Sequence, residues 1–68
     1  MINVFTHNGN QITKEQAIEI IGLPFVNILL KENESSLKKG YDIHNAEMRL
    51  SRGNSVKVRS SFNADLLK

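Results

Sequence analysis

A chain of 68 residues with no cysteine and a formal charge of +2 has room for one small domain, and neither a disulfide framework nor a thiolate metal site can support it. No apolar run approaches the ~20 residues of a membrane-spanning helix, and no basic start leads into a long apolar core, so a soluble, cytoplasmic chain with no membrane partner is expected. With 40% hydrophobic residues the core is meagre, and a homodimer is one expected way to extend it.

Residues 1–11 open with Met1-Ile2-Asn3-Val4-Phe5, a β-prone run, followed by the turn pair Asn8-Gly9. A short strand, with a hairpin returning through Gln11, is predicted; its inward residues are Ile2 and Val4 or else Met1, Asn3 and Phe5, the aliphatic choice being the cleaner. His7 beside the turn has no second ligand at metal spacing and reads as an exposed turn residue.

Residues 12–33 form the densest helical stretch. Thr13 and Gln16 have the spacing of a capping box, and Ala17, Ile20 and Ile21 share one face. Gly22 can end a helix and Pro24 can begin one, so either two short helices or one helix kinked at Pro24 is expected. The apolar pattern resumes with Phe25, Ile28 and Leu29 on one face, Val26 and Leu30 beside them, and Asn33 as its stop.

Glu34 to Asn45 is polar and reads as a loop, tied back by Leu37, Tyr41 and Ile43; His44 has no obvious partner. Residues 46–59 give the clearest strand signal. Ala46, Met48 and Leu50 alternate with Glu47 and Arg49, and Val56 and Val58 alternate with Lys57 and Arg59, around the turn Arg52-Gly53-Asn54-Ser55. With the aliphatic residues inward, the period of two puts Arg49, Lys57 and Arg59 on the other face and Arg52 at the tip. Residues 61–67 are predicted to form a short helix, with Ser60 or Ser61 as its cap and Phe62 docked.

Charge is divided unevenly. Residues 1–35 carry two lysines against four glutamates, whereas residues 36–60 carry six basic against two acidic side chains. Such asymmetry is the footprint of a nucleic-acid surface or, more plainly, of a solvated face. The carboxylates are scattered, neither histidine sits in an acid–base or nucleophile arrangement, and no Gly-rich phosphate loop is present; an enzyme is not expected, nor a cofactor or metal site.

Three segments resemble one family when taken together. Ile-Thr-Lys-Glu-Gln-Ala-Ile-Glu-Ile-Ile-Gly resembles the opening helix of excisionase-type, MerR-like winged-helix domains, and the segment from Pro24 to Asn33 resembles their second helix. Arg52 to Leu67 looks like the wing and closing helix of those small proteins of phages and mobile elements. The resemblance spans Ile12 to Leu67, but Gly22-Leu23-Pro24 leaves less than the ~3–4-residue turn of a helix-turn-helix. It implies an α+β, winged-helix-like single domain over residues 1–68, with two N-terminal helices, a β-hairpin and a short C-terminal helix. It also implies sequence-specific DNA binding in recombination or transcription regulation, with a recombinase or another host or phage protein as a further partner.

Under that reading Lys38, Lys39, Arg52, Lys57 and Arg59 contact phosphates, Arg49 and Asn27 face base edges, and Lys31 adds a polar reader on the second helix. Gly-Asn-Ser-Val-Lys-Val-Arg is also similar to a segment of swapped-hairpin antitoxin domains, which bind DNA as dimers, although the proline expected after the arginine is a serine here. The competing function is that of a phage or mobile-element inhibitor that covers a host protein instead of DNA.

Overall fold

The computed structural model describes residues 1–68 and contains two α-helices and four strands. The chain enters as a hairpin, β1 (Ile2–His7) and β2 (Asn10–Ile12), with Asn8 and Gly9 both at positive φ (52° and 86°). Asn-Gly tolerates that conformation at both turn positions, so the predicted hairpin forms where expected. Two helices follow, α1 (Lys14–Ile21) and α2 (Leu23–Lys38), and then a second hairpin, β3 (Ile43–Arg49) and β4 (Ser55–Ser61).

The α+β class holds, but the winged-helix arrangement does not. The order is hairpin, two helices, hairpin, and all four strands form one antiparallel sheet in the order β2-β1-β4-β3. The expected wing is therefore half of a sheet: β4 pairs with β1 along six residues, from Ile2 opposite Ser61 to His7 opposite Val56. The short helix predicted over residues 61–67 is a single 3-10 turn at Ala64–Leu67, capped by Asn63. The cap is Asn63 and not Ser60 or Ser61, which both belong to β4, and Phe62 is left exposed.

The helix break is encoded locally. Thr13 and Gln16 close the capping box that starts α1, with Thr13 Oγ1 accepting from the Gln16 amide at 3.1 Å and Gln16 Oε1 accepting from the Thr13 amide at 2.8 Å. Gly22 sits at φ 90°, ψ 151°, a region open essentially to glycine alone, and Pro24 falls in the first turn of α2 where no N–H is needed. Two separate helices result, not a kinked one.

α2 runs five residues beyond the expected stop at Asn33. Its buried stripe is Val26, Leu29, Asn33 and Leu37, not the expected face of Phe25, Ile28 and Leu29, since Phe25 and Ile28 are exposed; it keeps helical spacing through that asparagine, so the segment from Glu34 to Lys38 is helix and not loop. Packing of the stripe outweighs the weak helix propensity of Asn. Tyr41, read as an anchor, is 63% exposed.

Both helices lie on one face of the sheet. The core is Phe5, Ala17, Val26, Leu29, Ala46, Val56 and Val58, lined at its edges by Ile12, Ile18, Ile21, Leu30, Met48 and Leu50. Because Phe5 stands opposite Val58, the inward residues of β1 are Asn3 and Phe5, not Ile2 and Val4. The larger aromatic side chain takes the covered position.

Candidate nucleic-acid interface

Strand periodicity sorts the sheet into two faces. Val56, Val58 and Ser60 are fully buried beneath the helices, so Lys57 and Arg59 project from the opposite side, where both are exposed. Register then supplies their neighbours: Lys57 lies between Thr6 of β1 and Glu47 of β3, and Arg59 between Val4 and Asn45. Arg49, at the end of β3, stands opposite Ser55 on the same side. No helix covers this surface.

Only one end of the open face is closed. Ser61 shares it, yet is fully buried, because the chain beyond β4 folds back: Ser61 Oγ accepts from the Asn63 amide at 3.0 Å and donates to the Asp42 carbonyl at 2.8 Å. At the other end the turn after β3 is tied to the first hairpin. Asn8 donates through Nδ2 to Asn54 Oδ1 at 2.9 Å and accepts from the Ser55 amide through Oδ1 at 2.9 Å. That clasp fixes the position of Arg52, which itself adopts φ 61°, ψ 30°. A shallow depression of about 320 Å³ lies beside it, lined by Glu47, Arg49, Leu50, Gly53, Asn54 and Ser55.

The electrostatics follow the layers. Residues 43–61 hold four cations and one anion, whereas residues 14–38 of the helical layer hold three cations and four anions. The side chains of Lys57, Arg59 and Arg52 make no ion pair or hydrogen bond within the chain. Arg49 Nε lies 3.2 Å from Glu47 Oε1, with 88% of its side chain exposed. The Glu47 side chain is 33% exposed, and with Arg49 so open to solvent the pair contributes at most about 1 kcal/mol.

The expected DNA-contacting set is thereby divided. Arg49, Lys57 and Arg59 share the open face, with Arg52 at its tip. Asn27 and Lys31 are exposed on α2, Lys38 is its last residue and Lys39 follows it, so these four lie on the layer across the sheet. Lys38 Nζ is also 3.4 Å from Glu34 Oε1. One flat surface cannot engage both groups at once.

Sequence reading missed the polar cluster under α2. Asn33 Nδ2 donates to the Val58 carbonyl at 2.9 Å and to Ser60 Oγ at 2.8 Å, which leaves its Oδ1 to accept from His44 Nδ1 at 2.8 Å. Ser60 Oγ in turn donates to Asn3 Oδ1. His44 therefore has a partner after all, and no buried side-chain polar atom is left unsatisfied. The available signal was spacing: Asn33 falls four residues after Leu29 and seven after Val26, on the apolar stripe. The cluster locks β4 against α2 and so holds Lys57 and Arg59 on the far side.

No helix is long and apolar enough to cross a membrane. Comparisons with protein families, characterised proteins and solved structures found no match for this chain.

Proposed function

We propose that the chain is a small DNA-binding protein that lays the open face of its sheet against a duplex. The observation that carries this reading is the set Arg49, Lys57 and Arg59 on one uncovered surface, backed by a helical layer of slightly negative charge. Lys57, Arg59 and Arg52 contact phosphates, where each cation releases condensed counterions and makes affinity fall with salt. Arg49 and Asn45, both exposed on β3, have the chemistry to read guanine and adenine edges. Strands entering a groove are an established mode of readout, and no recognition helix is required.

The test is fluorescence anisotropy with mixed-sequence duplexes at rising salt. With those three phosphate contacts, the slope of log K against log salt is expected near −3. Replacing Lys57 and Arg59 by Ala should flatten it by about 2.

The second reading, a module that binds a host protein, is favoured by one observation: Phe25 and Ile28, three residues apart on α2, are 46% and 57% exposed. It becomes the better account if no duplex binding is seen at about 100 μM protein, the weak limit of non-specific association.

A further inference from the structure

The two edges of the sheet are unequal. β2 is three residues long, and since Asn10 and Ile12 face β1, it turns only the peptide of Gln11 outward. β3 is seven residues long and is paired on one side only. The Leu50 amide donates to the Asn54 carbonyl at 2.7 Å, which makes the even-numbered residues of β3 the ones bonded to β4. The peptide groups of Ile43, Asn45, Glu47 and Arg49 therefore point away from the sheet without partners in the chain. Natural edges are commonly blunted by charged side chains, lysine above all, by proline or by a bulge. Here the two charged side chains of the edge strand, Glu47 and Arg49, have opposite signs and sit two residues apart on one face.

We infer that this edge pairs with the β3 edge of a second copy, antiparallel about a two-fold axis at Met48. That register sets Glu47 of each protomer opposite Arg49 of the other, so symmetry creates two favourable cross-strand pairs. Moving the axis to Glu47 would bring like charges together, and moving it to Ala46, although it would pair the whole strand, would set Glu47 opposite Asn45 and Arg49 opposite Ile43 and leave both charges without a counterpart. On the covered side Met48 meets its own copy and Ala46 meets Leu50, extending the apolar core across the junction; Met48 and Leu50 are already packed at the margin of that core. The helices fit as well. α2 rests on both β3 and β4, so its axis lies about one strand spacing from the two-fold and the two copies stand about 10 Å apart, the packing distance of neighbouring helices. The product is an eight-stranded sheet with both sets of open-face cations on one side. This pairing does not depend on what that side binds.

The experiment is sedimentation velocity on the full chain up to about 1 mM, a range that populates even a millimolar complex. Wild type is expected to shift to a dimer. R49E, which places carboxylates opposite each other twice, should weaken the dimer about tenfold or more, and E47R/R49E should restore it. E47P should stay folded by circular dichroism, since the lost N–H points outward, yet remain a monomer. A wild-type monomer at every concentration, an E47P dimer as stable as wild type, or a charge swap that fails to recover association would each overturn the proposal.

Discussion

The two faces of the sheet are made from alternate residues of the same strands and have opposite requirements. On the covered face, Val56, Val58 and Ser60 are fully buried, and even the polar members, Ser60 and Asn33, have every buried polar atom hydrogen-bonded. On the open face, Lys57 and Arg59 occupy the intervening positions of β4 with no partner in the chain. Substitutions on the covered side should therefore act on stability, and those on the open side on binding. A residue that moved both strongly would break the distinction.

The largest effect is expected on the covered side. Leu29→Ala should cost about 2–5 kcal/mol by leaving a cavity in a small core. Asn33→Leu keeps the volume but strips Ser60 and His44 of partners, at about 1–3 kcal/mol for each polar group left alone. Thermal denaturation checks both. Gly22→Ala should cost about 1–3 kcal/mol, from backbone conformation and not from crowding, because the nearest atom to an added Cβ is Pro24 Cδ at 3.8 Å.

On the open side the pattern reverses. Lys57→Ala with Arg59→Ala should change stability by no more than about 0.5 kcal/mol per site in urea titrations, while duplex affinity falls. Lys31→Ala with Lys38→Ala, on the helical layer, should leave affinity near wild type and so sharpen the contrast. The smallest effect is expected at Arg52, whose left-handed backbone suits glycine better: Arg52→Gly should raise stability by at most about 1 kcal/mol and still weaken binding.

Local features were the legible ones. Thr13-x-x-Gln16, Gly22-Leu23-Pro24, Asn8-Gly9 and the alternation from Ala46 to Arg59 each act within a few residues, and each produces the element it predicts. The sheet was not legible, because the pairing of β1 with β4 joins residues more than forty positions apart and no local pattern encodes it. That same pairing decides which side of β1 is covered, so Phe5 displaced Ile2 and Val4 from the inward set. Asn33 was lost for a different reason: residue type suggested a stop, while position on the stripe called for burial, and packing decided. Of the candidate site, the cations of the second hairpin were readable from a period of two. Their separation from Asn27, Lys31, Lys38 and Lys39 follows only from the layering of helices on sheet.

The most direct test of the open face is the salt dependence of duplex binding, measured by anisotropy for wild type, Lys57→Ala/Arg59→Ala and Lys31→Ala/Lys38→Ala side by side. A slope shallower by about 2 is expected for the sheet pair and an unchanged slope for the helical pair. Equal losses from the two pairs, or a loss confined to the helical pair, would contradict binding through the open face.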